Sequence, residues 1–478
     1  MALSEHPVIL WFRFDLRLND HAGVVAALAT KRPVCPVYIW DDGQYARPLG
    51  ATSRWWLHQS LHSLDEELRG LGSRLIVDRG PSHMVLADIC QKTSAKTVIC
   101  SRTFEPKTEE RDCELENALA DISVALERHN TAFFTEPGTI KTKEGKPYRV
   151  YTPFFRAVDA AGVLNVDSFR TLSTHPWPVL AQWPKSLAIE DLGLKPEKTS
   201  SGSDWTEGFA AFSPGESGAR KALRRFVSHG LPDYEDGRDR PDMDITSRLS
   251  PHLRFGEISP RRILADVDDA VCEAPRLAAP AEKLRKELVW REFNYNILHQ
   301  QPQLHERNFR DDFDGFPWRD SDGDFTAWTR GETGYPLVDA GMKELWRTGF
   351  MHNRVRMVCA SFLVKHLLID WRRGEQWFWD CLVDADPANN PGNWQWVAGC
   401  GADAAPYFRI FNPTTQADKF DPKGIYRHRH VSGYDRVVDL FDNSTKDVTY
   451  PQPIVDHAHA RDRALDAYRR RDSNDDSD

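Results

Sequence analysis

Glu287, Trp290, Arg291 and Asn294 stand at i, i+3, i+4 and i+7 of a helical stretch over 277–299. That spacing puts all four on one helix face. A carboxylate, an indole, a guanidinium and an amide on one stripe suit a cavity wall better than a solvated face. The stretch 352–368 is apolar nearly all round, yet Asn353, Arg354 and Arg356 sit in its first turns. A buried guanidinium needs a carboxylate partner, because leaving it unpaired costs about several kcal/mol. Asp384 and Asp386, two charges within the apolar segment Leu382–Asp386, are the candidates. A scaffold ion pair is the alternative. The nearby Trp394 and Trp396 favour a pocket for a polar aromatic ligand.

Thr246-Ser247-Arg248-Leu249-Ser250 gathers three hydroxyls and a guanidinium directly before Pro251. Such a turn offers donors to a phosphate, although a plain helix cap has the same look. Arg13, Asp15, Arg17 and Asp20 follow the first apolar run, where they are either ligand contacts at a sheet edge or ordinary loop charges. Gly399-x-Gly401-x-x-Ala404 matches a dinucleotide fingerprint on paper but follows a Trp-rich helical segment, so it is not a Rossmann turn. The eight Cys form no C-x-x-C pair, and His428, His430, His457 and His459 read as surface histidines, so no metal site is expected.

These residues need elements to hold them. Over 1–135, apolar runs at Val8–Phe12, Val34–Trp40, Arg74–Val77, Thr97–Cys100 and Thr131–Phe134 predict strands. Helical patterns at 20–30, 52–71, 82–93 and 108–127 lie between them. Strand–helix alternation implies a doubly wound parallel sheet. Residues 136–204 are Pro-rich and predict a linker draped over the surface. From 205 to 455 helical periodicity dominates, at 215–229, 259–272, 277–299, 335–348, 352–368, 371–382 and 388–400. The fold class expected is thus α/β plus all-α, and residues 456–478 predict a charged, disordered tail.

The chain has 478 residues, with 62 Lys and Arg against 71 Asp and Glu, a net charge of −9. That excludes a wholly basic nucleic-acid coat but leaves room for a local basic groove. No signal peptide and no membrane-spanning run is evident, and the Cys usage suits a reducing cytosol. Of the 16 Trp, nine lie between Trp290 and Trp396. Packing alone would use Leu and Ile, since each indole N–H needs a partner.

Taken together, several segments resemble the photolyase/cryptochrome family over about residues 7–450. They are Trp11–Asp20, Thr246–Pro251, Trp290-Arg-Glu-Phe293, Thr333–Pro336, Met351–Met357, Asp384–Asn390 and Asp403–Pro413, in family order. The resemblance implies an α/β domain, a linker and a helical domain holding folded FAD. It implies that Tyr234 and Thr246–Ser250 hold the FAD phosphates. Arg356 and Asp384 would lie against the isoalloxazine, with Asp386 meeting the flavin and Asn390 facing its N5; Arg291 and Ala385 complete the cofactor set. Trp394, Trp371 and Trp318 match the tryptophan relay, from flavin to surface. Glu287, Trp290, Asn353, Met357 and Trp396 match the lesion pocket, and Arg238, Arg354 and Arg409 the phosphate contacts.

The implied function is light-driven splitting of cyclobutane pyrimidine dimers in UV-damaged DNA by a monomeric, cytoplasmic, nucleoid-associated bacterial protein. The rival is a cryptochrome, a blue-light signalling receptor without repair. The chain stops soon after Pro413, whereas signalling members often carry a long extension, and Asn390 replaces the Asp of plant cryptochromes; both favour repair. Two departures stand out. Asn294 replaces a Tyr of the well-known bacterial form, and Lys107 and Thr108 replace the Asn-Glu pair that commonly holds a folate antenna. An antenna chromophore is expected, methenyltetrahydrofolate rather than 8-hydroxydeazaflavin, with its residues unassigned. Among subclasses the bacterial class III group resembles the chain most.

Overall fold

The computed structural model describes residues 6–43, 47–166, 177–195, 206–404, 408–431 and 450–472. Five parallel strands, β1 (Val8–Phe12), β2 (Val34–Trp40), β3 (Ile76–Arg79), β4 (Thr97–Ser101) and β5 (Ala125–His129), line up in the order β3-β2-β1-β4-β5. Val8 registers with Val34 on one side and Thr97 on the other. β1 is therefore central, and its sequence VILWF is buried throughout. A continuous apolar run is what a strand covered on both faces requires. Helices α1 (Ala22–Ala29), α2 (Ala51–Gly70), α3 (Ser82–Thr93) and α4 (Pro106–Asp121) make the connections.

The charges that follow β1 turn inward. Asp15 is fully buried and accepts from His21 and Ser101. Arg17 donates to the backbone oxygens of Gly256, Asp20 and Thr131. Arg13 grips Asp112 through two hydrogen bonds. The ordinary-loop alternative therefore holds for this segment, which ties the sheet edge to its neighbours.

Three expectations need correction. The last strand is Ala125–His129, not Thr131–Phe134. β5 is an edge strand, mostly exposed, and carries no apolar run. Thr131, Phe133 and Phe134 are instead a buried loop, with Phe133 edge-on to Tyr295. Second, the Pro-rich stretch contains a helix, α5 (Tyr151–Ala160). Pro153 falls in its first turn, where no intrahelical N–H bond is needed. Tyr151, Phe154 and Val158 are buried. Residues 167–176 and 196–204 of that stretch lie outside the described residues. Third, the charged tail is helical over His457–Asp472. Ala460, Ala464 and Ala467, at i, i+4 and i+7, form a small buried seam that charge density conceals. Residues 473–478 lie outside the described residues.

The helical region comprises α6 (Glu216–Arg225), α7 (Tyr234–Gly237), α8 (Ser250–Arg254), α9 (Pro260–Glu273), α10 (Ala278–Gln300), α11 (Asp322–Arg330), α12 (Pro336–Thr348), α13 (Asn353–Ser361), α14 (Trp371–Cys381), α15 (Asn389–Ala398), α16 (Pro413–Phe420), α17 (Ile425–His430) and α18 (His457–Asp472). The stretch expected as one helix over 352–368 changes after Ser361 to a π-turn, Phe362–His366. One buried apolar cluster runs from Val8 and Trp56 to Trp371 and Trp394, so sheet and helices share a core. The start of α2 lies hard against the end of α14. A Cβ on Gly50 would fall 2.2 Å from the Trp379 carbonyl oxygen, so only Gly fits there. Gly399 adopts φ +101° as the end cap of α15, a helix stop and not a Rossmann turn.

Candidate functional site

A cavity of about 470 Å³ opens between α7, α8, α10, α13 and α15. All four residues of the α10 stripe, Glu287, Trp290, Arg291 and Asn294, line it. Its wall includes Tyr234 and the whole of Thr246–Ser250 on one side. The backbone there turns sharply, with Arg248 at φ +52°. Arg248 Nε is buried without a hydrogen-bond partner. Hydroxyls, a spare guanidinium N–H and the start of α8 make this wall a set of donors.

The opposite wall carries a charged pair. Arg356 donates to both carboxylate oxygens of Asp384, at 3.1 and 2.9 Å, and to the Met351 carbonyl at 2.7 Å. Asp384 is 4% exposed at its side chain and Arg356 23%. Asp386 lines the cavity beside Ala385 but does not share that pair. Its Oδ1 accepts from the Ala388 and Asn389 backbones, and its Oδ2 from the Tyr295 hydroxyl at 2.9 Å. Asp386 thus caps the entry to α15. Asn390 donates its amide N–H to Glu375 at 2.8 Å, which leaves its carbonyl oxygen as the free acceptor. Arg47, from the sheet side of the molecule, grips Glu375 through two donors.

The third wall is mixed. Asn353, Met357 and Trp396 line it. Glu287 is ion-paired to Arg238, and Asp239 links Arg238 to Arg354. Burial lowers the Arg238 pKa, but Glu287, Tyr234 and Asp239 together raise it by more, so the guanidinium is held charged. Trp290 lies face to face with Tyr151, centroids 3.8 Å apart and planes 5° from parallel. His352 closes the wall. Its Nδ1 accepts from the Arg354 N–H, so Nε2 carries the proton, and Nε2 is buried with no partner. Burial, with the adjacent arginines, pushes His352 down to about 4.

Other expected site residues are held by contacts outside the cavity or lie apart from it. Arg291 reaches it, yet its guanidinium donates to the Ala132 carbonyl and lies over Phe133. Arg354 and Arg409 are not among its lining residues. Arg409 lines a separate small recess with Lys365 and Trp396. Of the indoles, Trp394 lines the cavity and packs edge-on to Trp328 and Phe378. Trp371 is fully buried and donates to Asn308, and Trp318 is partly buried against Phe316. Sequence patterns missed Tyr151, Glu375 and Arg47. Tyr151 lay in the presumed linker, and the other two act through contacts more than 100 residues distant, which no local spacing reveals.

Comparisons with known proteins give the chain its relatives. The family model "DNA photolyase" matches residues 8–178, and "FAD binding domain of DNA photolyase" matches 284–470. A deoxyribodipyrimidine photo-lyase of Agrobacterium fabrum is 46% identical, over 98% of this chain and 98% of that protein. The crystal structure of a bacterial class III photolyase from Agrobacterium tumefaciens superposes with a TM-score of 0.91 at 43% identity, covering 99% of each chain. Cryptochrome-1 of Arabidopsis thaliana is more distant, 34% identical over 90% of this chain and 63% of its own length.

Proposed function

The chain belongs to the DNA photolyase family, and we propose that the cavity between α7 and α15 is where it repairs pyrimidine dimers in UV-damaged DNA. The activity is that of a deoxyribodipyrimidine photolyase with FAD as cofactor. The residues present fit that cofactor. The Thr246–Ser250 turn and Tyr234 offer donors to a diphosphate, with Arg248 Nε unsatisfied in their midst. Arg356 and Asp384 would put a charged pair beside a planar ring, and the Asn390 carbonyl oxygen would be available to accept from a ring N–H. Leu249, Ala385 and Asp386 complete the wall, while Arg291 anchors α10 to the 132–134 loop. Bound and reduced, FAD would supply the light-driven electron that splits the cyclobutane ring.

The chain's own residues do the rest. The damaged dinucleotide must leave the helix to reach the cavity, and its poor stacking lowers that cost. Trp290 offers one face to the bases while Tyr151 fixes the other. Glu287 hydrogen-bonds a pyrimidine once it turns from Arg238. Asn353, Met357 and Trp396 form the remaining wall. Arg238, Arg354 and Arg409 contact DNA phosphates, and Trp394, Trp371 and Trp318 pass electrons inward from the surface.

The observation that carries this reading is the bidentate Arg356–Asp384 pair in the wall of a Trp-flanked cavity. Its test is direct. Reduced protein under blue light restores cyclobutane-dimer DNA to intact thymines; unrestored dimers overturn it in favour of a signalling role. The proposal includes a folate antenna, checked by a near-UV band released on extraction. It also includes a cytoplasmic monomer acting on the nucleoid; no helix among the described residues is long and apolar enough to cross a membrane.

A further inference from the structure

His58 and His62 stand one helical turn apart on α2, and Glu190 approaches them from the short 3₁₀ turn Ile189–Leu192. None of the three lines the FAD cavity. One ligand atom from each lies within 4.8 Å of the others. His62 Nε2 is 3.2 Å from Glu190 Oε1. That is about the separation of two ligands on a tetrahedral ion with bonds near 2.1 Å. The His58 and His62 rings meet edge-on, centroids 4.7 Å apart.

His58 supplies an independent observation. It is 5% exposed, and its Nδ1 is buried without a hydrogen-bond partner. Buried polar atoms are normally satisfied, so an orphan beside two more donors asks for a ligand. Burial first, then His62, lowers the His58 pKa, with Lys195 adding to the effect and Glu190 opposing it. Neutral imidazole is the form that binds metal.

The turn that carries Glu190 is held firmly. Ile189, Leu192 and Leu194 are buried in the shared core, and Leu187 N–H donates to the Val77 carbonyl at 2.8 Å. His62 is half-buried and Glu190 is exposed, so both side chains have room to rotate toward an ion.

We propose that His58, His62 and Glu190 bind one borderline divalent transition metal, zinc in the first instance, which clamps the 187–195 segment to α2. Two imidazoles and one carboxylate favour zinc, nickel or copper over magnesium or calcium, which prefer all-oxygen shells. A fourth position remains for water. Lys195 is the opposing charge near the cluster, and it is exposed and free to swing away.

The test is a zinc titration of chelator-treated, FAD-loaded full-length protein near neutral pH, followed by calorimetry. One equivalent binds at micromolar affinity, and magnesium does not compete. His62→Ala, at a half-buried position, and Glu190→Gln, at an exposed one, each weaken it about tenfold or more. Zinc slows amide exchange over 187–195 in the parent protein but not in His62→Ala. Unchanged affinity in His62→Ala would place the metal on other histidines, such as His428 or His459, and overturn the site. Absence of any binding would do the same. Zinc binding with unchanged exchange over 187–195 would remove the clamp.

Discussion

Arg238, at the end of α7, donates to the carboxylate of Glu287 on α10. One residue expected to hold a DNA phosphate and one expected to hold the damaged base are thus partners before DNA arrives. Asp239 extends the network to Arg354. Docking must exchange these bonds for bonds to DNA. Glu287→Ala removes a charged hydrogen bond worth about 1.5–3 kcal/mol, so repair falls about 10- to 100-fold. It also frees Arg238, so binding of undamaged DNA does not weaken. Repair at the parent rate would take Glu287 out of the lesion pocket.

DNA affinity falls with salt despite the net charge of −9. Each phosphate contact contributes about −0.9 to the double-log slope for duplex DNA. Arg354→Ala and Arg409→Ala each flatten that slope by about one contact. A salt-independent affinity would exclude the phosphate assignment.

Arg356→Leu leaves Asp384 buried without its partner. Breaking such a pair costs about 3–5 kcal/mol when fully buried, and somewhat less here because Arg356 is 23% exposed. The purified variant carries little flavin and unfolds at lower urea concentration. Arg356→Lys keeps the charge but loses the fork, and it recovers only part of both.

Trp394→Phe abolishes or greatly slows light-driven reduction of bound flavin while already reduced protein still repairs. Flavin absorbance under illumination reads the first effect and dimer counting the second. An unchanged photoreduction rate would remove Trp394 from the path.

Much of the site was legible because it is local. The α10 stripe needs only helical spacing, and all four of its members line the cavity. A buried arginine needs an acid, and Arg356 does pair with Asp384, but the sequence left Asp386 as an equal candidate. Backbone geometry separates the two, since Asp386 is spent capping α15. Features set by distant contacts stayed hidden. The Tyr151–Trp290 stack joins α5 to α10, and the Glu375–Arg47 pair joins α14 to the sheet side. The α18 seam was masked because three alanines carry little apolar signal among so many charges.

The Tyr151 ring holds Trp290 flat, and its hydroxyl donates to the Lys286 carbonyl at 2.6 Å. Tyr151→Phe keeps the stack and loses one hydrogen bond, about 1 kcal/mol of stability, with repair nearly intact. Tyr151→Ala lets the indole turn, and repair falls much further than stability does. Equal repair by both variants would show that the stack is only packing.

His352 bears on which lesion is repaired. Burial, together with Arg356, Arg354 and Arg238, drives its pKa down to about 4 against the pull of Asp239. The unfolded chain titrates this group near 6.5. The unfolded state therefore binds the extra proton between 6.5 and 4. Stability from this group is complete above about pH 6.5 and is lost as pH falls toward 4, on the order of 3 kcal/mol. His352→Gln flattens that part of the stability curve, as denaturant melts across the range will read. At neutral pH the imidazole is uncharged, with its proton on Nε2, which is buried without a partner. It can donate a hydrogen bond but has no spare acidic proton. Repair of a (6-4) photoproduct needs proton transfer between bases, whereas splitting a cyclobutane ring needs only an electron and a hydrogen-bonding carboxyl. Asn353 and Met357, the other candidates on this wall, do not titrate in this range. Reduced protein under blue light therefore clears cyclobutane dimers and leaves (6-4) DNA untouched at pH 7. Comparable clearance of both lesions would mean that His352 is protonated when DNA is bound, and the neutral assignment would fail.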